Sequence, residues 1–488
     1  MGTRTSPAIV IIGTGFGGLG MAMELKRAGF ENFTILERGD DVGGVWRENT
    51  YPGAACDVPS PLYSFSYEPN PDWSKRCAPQ AEIHDYLRRL ARKHGLLDRI
   101  RFGSEVTDAE YDDATGQWTV RTADNASLTA DVVISAVGQL SRPAIPEIPG
   151  SDTFAGASFH SADWDHSVDL TGKRVAVIGT GASAIQFVPA IAPQVGEMTV
   201  FQRSATWILP KPDTDYGPRL RSLFRYVPPT QLVERVGWWA VCETTSLSIV
   251  DLPALRGIVE KICTAHLNKQ VTDKSLRDKL IPDSPPGCKR ALFSNDWYPT
   301  LTRSNVHVET GGIAEITPTG VRSADGVLHE ADVIIYGTGF NGTEFLSPMS
   351  VTGGGGRKLH DEWSGGARAF KGITVAGFPN MFMLYGPNTN LGAGSIVHII
   401  ESQTRYIRQA VELLASRPGH VLEVRPEAEA AYDARIQERL GRSVWSFCTS
   451  WYRDAGGRIT NNWPGTVTGY RLETRTLNPS DYRLTRVG

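Results

Sequence analysis

The chain has 488 residues, 41% hydrophobic and 21% charged, with a formal net charge of −3, the balance of an ordinary soluble globular protein with about two to four domains. So small an acidic excess gives no electrostatic reason to expect nucleic acid or an anionic membrane as partner, since both require a concentrated basic surface. No apolar run approaches the ~18–20 residues that span a bilayer.

The start, MGTRTSPAIVIIG, has no signal-peptide apolar region; it fits the loose myristoylation pattern, as many unmodified starts do. Ala8 to Ile12 is a β-branched apolar run, followed at once by Gly13-Thr-Gly15-Phe-Gly17-Gly18 and then by helix-favouring MAMELKRA. This order predicts strand, tight turn and helix. Gly13 makes the turn, Gly15 lets the backbone approach a pyrophosphate, Gly18 lets helix and strand pack closely, and the helix N-terminus supplies unpaired N–H groups. A second strand, Phe33 to Leu36, ends in Glu37, where a carboxylate can accept a ribose 2′-hydroxyl.

The stretch Val42-Gly-Gly-Val45-Trp46 and Tyr51 to Asp57 is too rich in glycine and proline for regular structure, yet Trp46, Tyr51, Tyr63 and Phe65 lie in or just beyond it. Such aromatics pack against something flat and apolar, either a flavin ring or a plain core wall. Asp57 in that setting needs a partner unless it closes a surface Asx turn. Residues 80–97 carry apolar side chains at Ile83, Tyr86, Leu87, Leu90 and Ala91, the spacing of an amphipathic helix. Short strands at 101–111, 117–122 and 127–131 form a meander before the buried strand Val132 to Val137. Proline-rich Arg142 to Gly150 reads as a first interdomain crossing.

The segment Phe154 to Asp165 is composed for a turn-rich strap pinned by aromatics rather than for a core strand. Beyond it, Lys173 to Ile178 leads into Gly179-Thr-Gly181-Ala-Ser-Ala184, a second nucleotide fingerprint with Ala at the third position. Its second strand ends in Arg203 instead of an acid. A cation there removes the ribose-hydroxyl acceptor and offers a guanidinium to a 2′-phosphate, so the second nucleotide is expected to be NADPH. Lys211 either assists or is simply exposed.

From about 212 to 285 the pattern turns helical, an insertion in the second nucleotide domain that is mostly packing. Gly287-Cys-Lys289-Arg290 and Asn295 to Tyr298 form a polar, aromatic loop. Asp332 to Phe340 is a buried strand with another glycine turn, and a second crossing falls near 341. Tyr385 to Gly394 precedes a helix at 395–416 whose N-terminal amides face the first nucleotide site. Trp451 and Trp463, in a tryptophan-rich end, are pocket lids or surface anchors. Six cysteines (Cys56, Cys77, Cys242, Cys263, Cys288, Cys448) lie far apart with no CxxC, which predicts free thiols in a reducing cytosol. No metal site is expected.

With two fingerprints, an acid after one and an arginine after the other, and FxGxxxHxxxWD between them at Phe154, Gly156, His160, Trp164 and Asp165, the chain resembles flavoprotein monooxygenases of the Baeyer–Villiger type. The GGVW, YPGAACD, GCKR, GTGF and GPNTNLG segments extend the resemblance over nearly the whole chain. It implies an α/β fold of two Rossmann-like dinucleotide-binding domains: an FAD-binding domain in two parts, 1–142 and 342–488 with a C-terminal lid, and an NADP-binding domain at 143–341 carrying the helical insertion. It implies FAD and NADPH as cofactors, O2 as co-substrate, and a small-molecule ketone converted to an ester or lactone through a C4a-peroxyflavin.

Arg290 matches the family's active-site arginine and Asp57 its paired acid. Arg203 and Lys289 match nicotinamide-nucleotide ligands, Trp46 and Tyr63 flavin contacts, and Trp451 a residue near NADP; Val45, Val106 and Ser204 complete the implied cofactor contacts. His160 resembles a conformational coupler rather than a base. Relatives that oxygenate amines and sulfides usually carry Tyr or Phe where this chain has Trp164, so sulfur or nitrogen oxygenation is the alternative activity, and a non-catalytic FAD/NADP sensor the alternative class. The chain departs from the pattern at Tyr336, where many relatives have Ala, and in its short insertion. Neither the ketone nor the oligomeric state is set by the sequence.

Overall fold

The computed structural model describes residues 6–250, 253–448 and 450–487; the N-terminal acylation pattern lies outside them. Two parallel sheets carry the two fingerprints. The first runs in the order Met381–Met383, Val132–Ser135, Ile9–Ile12, Phe33–Leu36, Ile100–Arg101. The second runs Val306–Glu309, Glu197–Phe201, Arg174–Ile178, Val333–Tyr336, Ala157–His160. Ile9–Ile12 and Val132–Ser135 are buried along their whole length: Ile9, Ile11, Val132 and Ile134 pack with helix residues such as Leu19 and Leu87, and Val10, Ile12 and Val133 with Trp118 and Val120 of the strand Gln117–Thr122, so both faces are covered and the β-branched runs are uninterrupted.

Each fingerprint strand lies centrally in its sheet, and its glycine turn opens at the carboxyl edge, where open α/β sheets hold their ligands. The close approach is real at both turns. Gly13 has φ +104°, and a Cβ on Gly18 would stand 1.8 Å from the Gly13 carbonyl oxygen. Gly179 repeats the left-handed turn at φ +105°.

Several expectations are met in outline. The helix Gln80–Lys93 buries Ile83, Tyr86, Leu87, Leu90 and Ala91. The meander Val106–Asp112, Gln117–Thr122, Ser127–Ala130 is antiparallel and gains a fourth strand, Ser350–Thr352, from the far half of the chain. Others need correction. Part of the strap is a strand: Ala157–His160 pairs in parallel with Val333–Tyr336. An edge strand needs only one buried side, so its Ala-Ser-Phe-His composition lacks the apolar run of a core strand. The glycine-rich stretch contains one helical turn, Val45–Glu48, entered from Gly44 at φ +54°.

The insertion forms helices Pro218–Tyr226, Pro229–Val250, Pro253–Gln270 and Lys274–Lys279. It does not belong to the second lobe alone. Tyr216, Phe224 and Ile249 join the core of the first lobe with Phe65, Trp445 and Val467. Leu267, Val271 and Leu280 join the core of the second with Phe187, Val200 and Trp297. Among the described residues no helix is long and apolar enough to cross a membrane, and no cluster of three or more His, Cys, Asp or Glu side chains could hold a metal.

Candidate active site between the two nucleotide lobes

A cavity of about 1230 Å³ runs from the first fingerprint to the second. It exceeds the ~300–1,000 Å³ of a site for one small ligand. Of the residues singled out in the sequence, Gly13, Gly15, Glu37, Val45, Trp46, Asp57, Tyr63 and Val106 line it from the first lobe, and Gly179, Gly181, Arg203, Ser204, Lys289 and Arg290 from the second chain segment, with Trp451 from the C-terminal end. Gly18 and Ala184 do not line it. Gly18 packs on Gly13, and Ala184 is fully buried at the start of its helix against Gly337. Their part is to bring helix and strand together.

Glu37 is buried at the end of its strand; its Oε2 accepts from the Thr14 amide at 3.0 Å and its Oε1 from the Gly39 amide at 2.9 Å. These bonds fix the carboxylate beside the fingerprint turn. Trp46 donates its indole N–H to the Tyr63 hydroxyl at 3.2 Å, and Tyr63 stands edge-on to Phe16 with ring centroids 5.2 Å apart. Of the aromatics named for the glycine-rich loop, Trp46, Tyr51 and Tyr63 line the cavity, while Phe65 is buried in the core of the first lobe.

At the centre, the Arg290 Nη2 donates to both carboxylate oxygens of Asp57 at 2.8 Å. Asp57 raises the Arg290 pKa above the ordinary arginine range, against the opposing effect of burial, so the guanidinium is charged at every working pH. The adjacent Lys289 donates from Nζ to Ser204 Oγ at 2.9 Å, directly after Arg203. Two buried phenols that the sequence reading did not assign stand near this pair. Burial raises Tyr452 to about 12, with Arg290 opposing. Tyr385, held at φ +59°, is likewise raised by burial and donates to Asn390 Oδ1 at 2.7 Å. Both are neutral at neutral pH.

His160 is 1% exposed. Its Nδ1 accepts from the Ala162 amide at 3.0 Å, closing a short turn. Burial lowers its pKa below 6.5, so the ring is neutral and fits a structural coupler better than a general base. Trp164 packs against Phe159 and Phe187, pinning the strap as expected. Tyr336 lies in the core of the second lobe, outside the cavity lining, so this departure from the family pattern does not reshape the cavity wall directly. Lys211 pairs with Asp213 at 3.4 Å, also outside the lining. Trp463 is neither lid nor surface anchor: it is buried against Tyr470.

Gln186 was not foreseen. Its Oε1 accepts from the Tyr51 hydroxyl at 3.0 Å and its Nε2 donates to the Ala55 carbonyl at 3.0 Å, tying the second fingerprint helix to the loop that carries Asp57. The available signal was a lone amide in the otherwise apolar AIQFVPAI. Cys288 and Cys448 are joined in a disulfide, Cα atoms 6.0 Å apart, while Cys56, Cys77, Cys242 and Cys263 are free. The expectation of six free thiols is corrected. Separation by 160 positions in sequence says nothing about separation in space, so cysteine spacing carries no argument here for a reducing compartment.

Two fingerprint lobes around one cavity, with a carboxylate-held guanidinium at their junction, define an oxidoreductase that binds two dinucleotides. The family described as pyridine nucleotide-disulphide oxidoreductase matches residues 10–226. A Baeyer–Villiger monooxygenase of Streptomyces coelicolor is 45% identical over 481 residues, 98% of this chain and 92% of that protein. One of Pseudomonas aeruginosa is 43% identical, over 99% of this chain and 94% of its own length. Among solved structures, a steroid monooxygenase bound to NADP matches with TM-score 0.87 at 30% identity, covering 99% of this chain and 100% of that one. A closed cyclohexanone monooxygenase matches with TM-score 0.87 at 27% identity, over 98% and 99%.

The chain belongs to the Baeyer–Villiger monooxygenases. It is an FAD- and NADP-dependent enzyme that takes a small-molecule substrate and O2. The residues present fit FAD at the first fingerprint, where Gly13, Gly15 and Gly44 bring backbone to the cavity wall and Trp46 and Tyr63, their rings inclined at 75°, add aromatic surface.

Proposed function

We propose that Arg290, anchored by Asp57, is the group that stabilises negative charge during oxygen insertion into a ketone. FAD reduced by NADPH supplies the oxygen-transfer chemistry with O2 when both cofactors are bound. The protein's task is to hold a permanent cation where an oxyanion develops, and Arg does this without a titration that desolvation would shift into the working range. Asp57 compensates the cation and aims it, leaving the remaining guanidinium N–H groups for the reacting oxygens. Tyr385 and Tyr452, neutral and buried, exclude water around it. Arg203, Lys289 and Ser204 bind the 2′-phosphate end of NADPH, and Trp451 covers the nucleotide from the C-terminal side. The chain passes between the FAD and NADP domains near 142 and 341.

The observation that carries this reading is the Arg290–Asp57 contact, both oxygens at 2.8 Å, inside a cavity shared by both fingerprints. Arg290→Ala and Arg290→Lys test it. Flavin reduction by NADPH is expected to stay within a few-fold, while ester or lactone formation falls by about 100-fold or more in the alanine variant. Product at the wild-type rate refutes the role. A panel of linear, cyclic and aryl ketones with one sulfide, scored by product per NADPH consumed, identifies the substrate class. Preference for the sulfide refutes the ketone reading without touching the nucleotide assignments.

A further inference from the structure

The loop that carries Asp57 is held from both lobes, and the two holds differ in kind. On the first-lobe side the Cys56 amide donates to the Ala78 carbonyl at 3.0 Å and the Gln80 amide to the Ala54 carbonyl at 2.9 Å. This is an antiparallel bridge between Ala55 and Pro79 in which the backbone groups of Ala55 itself point away from Pro79. The Ala55 N–H donates to Gln186 Oε1 at 3.3 Å, and its carbonyl accepts from Gln186 Nε2 at 3.0 Å. One side-chain amide thus meets both backbone groups of one residue, as the facing strand of a sheet does. Only a primary amide can do so, since it joins an acceptor and a donor at one end.

Gln186 belongs to the helix Ala184–Ile191, which begins at the second fingerprint and is fixed by Ile185, Phe187, Val188 and Ile191 in the core of the second lobe. The amide is therefore mounted on a rigid element. Gly53, at φ +79°, lets the loop come close to it: a Cβ there would stand 2.7 Å from the Gln186 carbonyl oxygen. Tyr51, whose hydroxyl donates to the same Oε1 at 3.0 Å, turns its ring edge-on to Phe187 with centroids 6.2 Å apart. A separate cleft of about 600 Å³, bordered by Gly53, Ala54, Ala55 and Gln186 itself, leaves the loop room to shift once the amide is lost. Asp57 stands two residues beyond Ala55, and both border the cofactor cavity together with Gln186.

We propose that Gln186 is a positioning residue for oxygen insertion: through Ala55 it fixes Asp57 against the second lobe and so aims the Arg290 guanidinium. The inference rests on the Arg290–Asp57 reading given above and extends it from a pair to a chain of contacts that reaches the second fingerprint helix. Misplacing a reacting group by ~1 Å costs up to about 100-fold in rate. The loop without Gln186 is still held at Ala78 and Gln80, so Gln186→Ala is expected to lower product per NADPH by about 10-fold, less than that limit. Gln186→Glu keeps the length and the acceptor but offers the Ala55 carbonyl no proton, and is expected to lose as much.

Product per NADPH and the rate of flavin reduction by NADPH, measured on the FAD-loaded full chain with a ketone that the wild type converts, test the proposal. The variants are Gln186→Ala, Gln186→Glu, Asp57→Asn and the double variant Gln186→Ala with Asp57→Asn; the bound flavin's absorbance reports folding. Flavin reduction is expected to stay within a few-fold in all four. Because Gln186 acts through Asp57, the double variant is expected within about two-fold of Asp57→Asn alone, whereas independent contributions multiply. A merely structural amide gives multiplied losses, or loses bound flavin in both Gln186 variants, and either result overturns the proposal. Flavin reduction that falls as far as product formation does the same. Asp57→Asn at wild-type yield refutes the Arg290–Asp57 reading itself and this inference with it, while an impaired Asp57→Asn beside an unimpaired Gln186→Ala refutes the inference alone.

Discussion

Replacing Asp57 by Asn keeps the shape of the side chain and removes its charge, so it isolates what the carboxylate does for Arg290. With both oxygens at 2.8 Å from Nη2, the charge centres are ~4 Å apart and attract by about 4 kcal/mol at an effective dielectric of ~20. The two side chains keep 37% and 20% of their surface open to the cavity, where water screens them, so the net loss is expected nearer 2 kcal/mol. Urea unfolding in excess FAD measures that loss. The second consequence is geometric. An unanchored guanidinium samples other rotamers, and misplacement by ~1 Å costs up to about 100-fold in rate. Flavin reduction is therefore expected to survive in Asp57→Asn while product per NADPH drops and peroxide release rises. A variant less stable but with wild-type product yield reduces Asp57 to a structural role; one unchanged in both respects refutes the pairing argument altogether.

Arg203→Ala is expected to raise KM for NADPH by about 10- to 100-fold, the worth of one charge-assisted contact to a phosphate, with little change for NADH; equal effects on both coenzymes refute the 2′-phosphate assignment. Burial, reinforced by Arg235, Arg471 and Arg405, lowers His398 to about 3. The unfolded chain therefore takes up this proton first, so the contribution is complete above ~6.5 and is lost as pH falls below it. Glu429, raised by burial to about 6, acts with the opposite sign, the folded state gaining stability as pH falls from about 6 toward 4.5. His398→Gln should flatten the acid limb of stability against pH, and an unaltered limb refutes the assignment. Thiol titration of the denatured, unreduced protein should find four cysteines, and six after reduction. Cys448→Ser should lower stability by roughly 2–4 kcal/mol, and six reactive thiols without reductant refute the cross-link.

What the sequence made legible was mostly local. A fingerprint states its own geometry, because a strand, a left-handed turn and a close helix leave no residue but glycine at Gly13 and little but glycine or alanine at the third position. Glu37 and Arg203 follow at the ends of second strands by chain length alone. The Asp57–Arg290 pair spans 233 positions and was reached only through resemblance. What stayed hidden depends on contacts between distant segments. Ala157–His160 becomes a strand because Val333–Tyr336 offers it an edge. Cys288 meets Cys448 because two loops converge on the cavity. The helical insertion was legible as helix but not as a bridge, since period 3.6 shows which face is buried without showing in which core. Tyr385 adopts a left-handed conformation that a bulky residue ordinarily avoids, and nothing in its neighbours' composition announces it.

The loop at 287–290 explains why the site sits between lobes rather than within one. Cys288 is bonded to Cys448 and packs in the core of the first lobe, and Arg290 is held by Asp57 of that same lobe. Lys289, between them, turns to Ser204 at the end of a strand of the second lobe. Three consecutive residues thus divide their attachments. A shift of the lobes by more than about an ångström stretches a 2.9 Å contact beyond hydrogen-bond range, so either the lysine leaves its serine or the arginine is pulled against its aspartate. If the second nucleotide engages Lys289 and Arg203 as proposed, its occupancy is felt at the Arg290 guanidinium through a single peptide unit. On that reading the cation proposed for oxygen insertion comes under the influence of the coenzyme that begins the cycle.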